Sequence, residues 1–245
     1  MDWHARYTQQ ARWTAPLRRY LYQKTRLADA RRILDVGCGP GVLLTELGQL
    51  TPATAHGLDL NRAALKQAAV QAPAAALVCA DAHALPYPDA SFDITLCHYV
   101  LLWLSHPLSA LREMRRVTRP GGHVLALAEP DYTRRIDQPP ALAPLGRLQT
   151  EALTRQGADV GLGARLADLF LQAGIMLIET GELSHGSFAA PGPGEWEMEW
   201  AVLRADLAGS LPDADIQKYQ QWDAAAWQAG ERVLHVPTHF AWGRV

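Results

Sequence analysis

Short apolar runs alternate along this chain with stretches of helical spacing. Ile33-Leu34-Asp35-Val36 is a buried-strand pattern, and after a glycine-rich turn Leu43, Leu44 and Leu47 fall on one helix face. Ala55-His56-Gly57-Leu58-Asp59 predicts a second strand, Ala76 to Asp81 a third and Phe92 to Cys97 a fourth. Pro107 to Val117 predicts a helix stopped by Pro120-Gly121-Gly122, and Val124 to Ala128 a fifth strand. A helix over Ala164 to Ala173 closes at Gly174. Ile175 to Leu183 and Thr238 to Val245 complete the strands. Ahead of them, Thr14 is placed to cap a helix through Leu17, Tyr20, Leu21 and Lys24. Seven strands alternating with helices predict an α/β fold on a parallel sheet.

Two segments exceed that minimal alternation, Arg134 to Val160 and Glu195 to Val233. In the second, Trp196, Trp200, Leu203 and Leu207 make one apolar stripe. Ile216, Tyr219 and Ala226-Trp227 suggest another helix, with Ser210 and Asp213 as a variant capping box. Such a stripe serves as core, as a contact between two copies of the chain, or as a helical cap over a ligand. The linker-like stretch is Ala189 to Gly194.

The chemistry concentrates where the first strands end. Asp35, Asp59 and Asp81 close three successive strands. In a parallel sheet these ends share one edge, where such folds bind ligands. Gly37, Gly39 and Gly41 bring backbone close to whatever sits there. A dinucleotide fingerprint needs its third glycine where this chain has Val42, and no Gly-Lys-Ser/Thr follows, so a P-loop is excluded. Three carboxylates repel a pyrophosphate. They suit a ligand with a diol, an exocyclic amine and fixed positive charge, the features of S-adenosylmethionine.

These pieces resemble the class I S-adenosylmethionine-dependent methyltransferases, in particular the small-molecule type related to ubiquinone and menaquinone biosynthesis. The matching segments are ILDVGCGPG (33–41), GLDLN (57–61), ADAHALPYPDASFD (80–93), CHYVLLWL (97–104) and LREMRRVTRPGGHVLALAEPD (111–131). The resemblance implies a seven-stranded Rossmann-like sheet with residues 30–131 as the cofactor-binding core of a single domain spanning 1–245. The insertions 134–160 and 195–233 would then form an acceptor cap. Gly37, Cys38, Gly39 and Gly41 would lie under the methionine portion, with Asp35 near its ammonium. Asp59 would hold the ribose, Leu60 would pack on adenine, and Asp81 would take the adenine amine beside Ala82. His98 would sit beneath the sulfonium. Tyr7 and Gln10, on an amino-terminal helix, would reach over the cofactor.

A base is needed only if the acceptor must lose a proton. His98 and Glu129 are the leading candidates, with Asp131 and His185 behind them; Trp196, Trp200 and His185 are the candidate acceptor walls. Composition narrows the partners. At 245 residues and a formal net charge of −2, the chain has room for a large core and carries no basic footprint for nucleic acid. The place after the fourth strand, where nucleic-acid methyltransferases carry Asn/Asp-Pro-Pro-aromatic, reads Cys97-His98-Tyr99-Val100. Cys38, Cys79 and Cys97 lack metal spacing and fit small packing residues in a reducing compartment. No signal peptide or membrane span is read, so the expectation is a cytoplasmic enzyme acting on a small molecule, with no metal and with homodimerisation open. A non-catalytic cofactor-binding or regulatory protein is the alternative reading, with a nucleic-acid methyltransferase behind it.

Overall fold

The computed structural model describes residues 3–183, 191–192 and 194–245. His185 lies outside the described residues. The chain opens with α1 (Trp3–Lys24), followed by β1 (Arg32–Val36), α2 (Val42–Leu50), β2 (Thr54–Asp59), α3 (Arg62–Gln71), β3 (Ala76–Cys79) and β4 (Phe92–Cys97). Then come α4 (Pro107–Val117), β5 (Thr118–Pro130), β6 (Ile136–Gln138), α5 (Ala143–Arg155), α6 (Leu166–Gln172) and β7 (Met176–Glu182). The last elements are α7 (Glu195–Asp206), α8 (Asp213–Ala229), β8 (Val233–His235) and β9 (Thr238–Arg244).

Seven strands form one sheet in the order β3-β2-β1-β4-β5-β9-β7. The first five pair in parallel, and β9 inserts antiparallel between β5 and β7. Side-chain alternation divides the core. Leu34 and Val36 pack with Met114, Val117 and Phe170 on one face, whereas Ile33, Ile94 and Leu96 pack with Leu21, Leu44 and Leu47 on the other. The strand order reverses between β1 and β4, which puts the carboxyl ends of these two parallel strands on either side of a switch point.

Three local expectations fail for physical reasons. Thr14 does not start α1 but lies within it, its hydroxyl 3.2 Å from the Ala11 carbonyl. β5 begins at Thr118 rather than Val124, because Pro120-Gly121-Gly122 is absorbed as an irregularity: the register with β4 shifts between Phe92 and Ile94. Ser210 does not cap α8, whose first residue follows Pro212; its hydroxyl instead accepts from Arg155 Nη2 at 2.6 Å.

The two insertions fold against each other. Leu145 of α5, Trp200 and Leu203 of α7, Leu207 at the end of α7 and Ile216 of α8 share a separate apolar cluster. β6 and β8, each too short to show a periodicity, pair antiparallel and staple the start of one insertion to the end of the other. A buried polar chain completes the unit. Trp196 and Trp200 both donate their indole N–H to Asp223 Oδ2, at 2.7 and 3.0 Å. Arg232 donates to Asp223 Oδ1 at 2.5 Å and to Asp137 Oδ1 at 2.8 Å, and Arg135 Nε donates to Asp137 Oδ2 at 2.6 Å. α5 passes over this cluster at Gly146, where a β-carbon would stand 2.0 Å from Asp137 Oδ2. Gly146→Ala is therefore expected to cost about 1–3 kcal/mol as overpacking, read as a lowered melting temperature; an unchanged melting curve would show that the pair can yield.

Candidate cofactor and acceptor site

Because β1, β2 and β3 end on one edge, their acids meet there in a single open cavity of about 840 Å³, within the roughly 300–1,000 Å³ range of small-molecule sites. β1 turns at Gly37, whose φ is +72° and whose missing β-carbon would fall 2.5 Å from Val100 Cγ2. The Gly37 and Cys38 N–H groups both donate to Leu58 O, at 2.7 and 3.0 Å, tying the loop to β2. Gly37, Cys38 and Gly39 line the cavity. Gly41 is not among its lining residues: a β-carbon there would meet Ala68 at 3.0 Å, so this glycine permits close packing of α2 on α3.

Asp59 is not a helix cap. Asn61 caps α3, accepting from the Ala63 and Ala64 N–H groups. Asp59 instead accepts from the Gly39 N–H and the Asn61 N–H, one per oxygen and both at 2.8 Å, and so joins the glycine loop to the end of β2. Leu60 follows it 71% exposed on the cavity wall, an apolar surface with room for a flat ring. Asp81 stands two residues beyond the end of β3. Its Oδ1 accepts from the His83 N–H at 2.9 Å and contacts His83 Nδ1 at 2.6 Å, bonds that hold its carboxyl below the ordinary range. Ala82 lines the wall beside it, and Tyr7 and Gln10 of α1 close the opposite side.

Asp35 tests whether these residues fit a cationic ligand. It lines the cavity, is 2% exposed, and takes no hydrogen bond among the described residues. Burial, then the nearby Asp59 charge, push its carboxyl well above the usual range, with Arg18 opposing. A buried acid beside a second acid is stabilised by an incoming cation. The ammonium of S-adenosylmethionine has that charge, and the Asp59, Leu60 and Asp81 wall offers acceptors and an apolar face for its nucleoside.

His98 lies just past β4, with its Nε2 2.9 Å from Thr14 Oγ1. Arg18 donates to the same hydroxyl and also pairs with Glu46, so α1 and α2 fix the ring from behind. Burial, with Arg18 adding to it, lowers His98 to about 3. The ring is neutral at working pH and suited to positioning rather than to taking a proton. Since its folded value lies below the ordinary value of about 6.5, the group contributes stability above that pH which is lost as pH falls toward about 3. The His98 ring resonances are expected to stay those of neutral imidazole between pH 8 and 5; an NMR midpoint near 6.5 would contradict this burial.

Glu129 does not face the cavity. It is fully buried, and its two oxygens accept the N–H groups of Val100, Leu101 and Leu102 at 2.9–3.1 Å. Burial raises its carboxyl to about 7 against those three bonds. The turn it secures is the one after His98, not the Pro130-Asp131 turn beside it in sequence. Asp131 is likewise a cap, accepting from the Thr133 N–H at 3.0 Å. Trp196 and Trp200 are also not among the cavity's lining residues, since both indoles turn toward α8 and Asp223. The cap meets the cavity through other residues: Val202 and Asp206 of α7, and Gln149 and Leu153 of α5. Sequence reading missed these, along with Arg6, Tyr99 and Tyr132. One signal was available: Gln149 is a polar residue on the buried face that α5 makes with Leu145, Ala152 and Leu153.

Residues 34–126 match the family model described as a methyltransferase domain. These residues are a methyltransferase domain of the class I type. A malonyl-[acyl-carrier protein] O-methyltransferase of Halorhodospira halophila is 41% identical over 99 residues, 39% of this chain and 34% of that protein. A ubiquinone biosynthesis O-methyltransferase of Ralstonia nicotianae is 34% identical over 115 residues, 44% of this chain and 48% of its own. The chain thus spans a third to a half of these relatives. Among solved structures, a methyltransferase candidate from an antibiotic biosynthesis pathway of Anabaena variabilis superposes with a TM-score of 0.68 at 18% identity, over 94% of this chain and 97% of that one. The [4+2]-cyclase SpnF does so with 0.61 at 21% identity, over 94% and 80%. The methyltransferase fold therefore extends beyond the matched segment to the described chain as a whole. No helix among the described residues is long and apolar enough to cross a membrane.

Proposed function

We propose that this protein transfers a methyl group from S-adenosylmethionine to a small-molecule acceptor held beneath its helical cap. One observation carries the reading: the unpartnered Asp35 carboxylate, the Asp59 carboxylate on the glycine loop and the Asp81 carboxylate share one cavity, and that cavity continues under α5 and α7. When bound, S-adenosylmethionine supplies an electrophilic methyl on a sulfonium, so an acceptor lone pair bonds to carbon while the carbon–sulfur electron pair stays on sulfur.

The chain's own residues hold and orient. Asp35 takes the ammonium, the Gly37–Gly39 backbone supports the methionine portion, Asp59 binds the ribose diol and Asp81 the adenine amine. Leu60 packs on the adenine ring, while Tyr7 and Gln10 cover the cofactor from α1. Neutral His98, held by Thr14, lines the cavity wall and would sit beneath the sulfonium. Alignment of two bound reactants can supply on the order of 7–11 kcal/mol of the barrier, so no strong base is required of an acceptor that is already nucleophilic. With neither Glu129 nor Asp131 among the residues lining the cavity, a proton released by the acceptor leaves to solvent through the open side of the cavity.

A second reading has its own support. SpnF, named a cyclase, shares this fold, and a fold does not determine the chemistry performed on it. Incubation with methyl-tritiated S-adenosylmethionine and a fractionated metabolite extract separates the two. Label appearing in an extracted small molecule supports methyl transfer. Saturable binding of the cofactor with no transfer to any fraction supports a protein that binds it for another purpose.

A further inference from the structure

The turns after β4 and β5 each bring a tyrosine to the cavity, Tyr99 from the first and Tyr132 from the second. Tyr99 stands in the left-handed region at φ +57°, unusual for a residue with a large side chain, and such strain gathers at functional sites. Its backbone is locked on both sides. The Tyr99 N–H donates to Ala128 O at 3.0 Å, and the next three N–H groups are taken by Glu129. Tyr132 begins the turn capped by Asp131, and its N–H donates to Val160 O at 2.8 Å. Both rings line the cavity, and neither phenol oxygen has a hydrogen-bond partner among the described residues. Burial raises both phenols, so they stay neutral O–H groups across ordinary pH.

The charges around them are already paired. Arg6 forms an ion pair with Glu199, donates to Gln9 Oε1 at 2.8 Å and lies over the Trp13 ring at 5.0 Å. Asp206 accepts from Gln149 Nε2 at 2.8 Å and from Gln156 Nε2 at 3.2 Å. An acceptor carboxylate would compete with Glu199 for Arg6, and an ammonium would compete with the two amides for Asp206. Leu153 and Val202 supply apolar wall between them.

We propose that Tyr99 and Tyr132 form the acceptor subsite and select an uncharged, oxygen-bearing acceptor, one hydroxyl donating to its oxygen while the other accepts its proton if it carries one. This rests on the methyl-transfer reading for the acceptor's role, although the binding itself does not. Tyr99 and Tyr132 are specificity-determining residues here; Glu129 is a positioning residue that fixes the Tyr99 turn.

Three probes of one skeleton test the selection: p-cresol, 4-methylbenzoate and 4-methylbenzylamine. Each is titrated by ligand-observed NMR into the intact chain, with and without saturating S-adenosylhomocysteine. The expected result is that p-cresol binds at least about tenfold tighter than either charged probe. Tyr99→Phe and Tyr132→Phe, each with parental melting and S-adenosylhomocysteine affinity, should weaken it about threefold to tenfold, the worth of one neutral hydrogen bond. Equal or tighter binding of the carboxylate or the amine overturns the proposal, as does no p-cresol binding or an unchanged affinity in both Phe variants. Failure of S-adenosylhomocysteine to bind counts against the cofactor reading instead, and the titrations without it still decide the subsite.

Discussion

Asp59→Ala is expected to weaken binding of S-adenosylhomocysteine by about 2–4 kcal/mol, roughly 30-fold to 1,000-fold. Two losses combine in that figure. The ribose hydroxyls lose a charged acceptor, and the Gly39 N–H loses the oxygen that holds the glycine loop against β2. The same carboxylate also takes the Asn61 N–H, so a cap role has to be separated from a ligand role. Asn61→Ala supplies the control. It removes the true cap of α3, which is worth about 1 kcal/mol of stability; although Asn61 also lines the cavity, the backbone N–H that Asp59 takes is kept, so ligand affinity should fall far less than in Asp59→Ala. Calorimetry on both variants reads the difference. An Asp59→Ala protein that binds like the parent would place the ribose elsewhere.

Arg232→Met is expected to destabilise the protein by about 3–5 kcal/mol, because it strands two buried carboxylates, Asp137 and Asp223, without their shared cation. Asp223 would keep the Trp196 and Trp200 N–H bonds, and Asp137 would keep Arg135. That partial compensation places the effect in the cap and not in the sheet. Urea unfolding should show the loss, while affinity for S-adenosylhomocysteine in the folded variant stays close to parental. Trp200→Ala belongs to the same class: with its indole enclosed among Leu145, Leu203 and Ile216, it is expected to act on stability first. A Trp200→Ala protein with parental stability and altered cofactor affinity would contradict the packing described for α7.

The sheet was readable because each strand carries its own signal. Ile33-Leu34 and Phe92 to Cys97 are apolar runs with defined ends, and the Gly37–Gly41 turn follows β1 directly. The acids at strand ends were readable for the same reason: position along a strand fixes position on the edge. What resisted reading depends on direction and partners. Trp196 and Trp200 show a stripe, but a stripe does not say which neighbour it faces, and here it faces Asp223. Glu129 ends its strand as the three aspartates do, yet its neighbours offer three free N–H groups from the turn after β4, a partner 27–29 residues away. β6 and β8 are paired across nearly a hundred residues by strands too short for any period. Tyr99 and Tyr132 sit in turns, where local pattern carries no orientation. Helix α1 also starts well before Thr14, which brings Arg6, Tyr7 and Gln10 to the cavity by continuing a helix the apolar pattern marks only in its second half.

On the proposed function, the carboxyl edge of this sheet takes S-adenosylmethionine and not a dinucleotide. Calorimetric titration of the intact chain with S-adenosylmethionine, and separately with NAD, tests it most directly. Saturable one-to-one binding of S-adenosylmethionine is expected, and no detectable heat with NAD, whose pyrophosphate would meet Asp35 and Asp59 in a loop lacking the third glycine of the fingerprint. Binding of NAD with none of S-adenosylmethionine would contradict it.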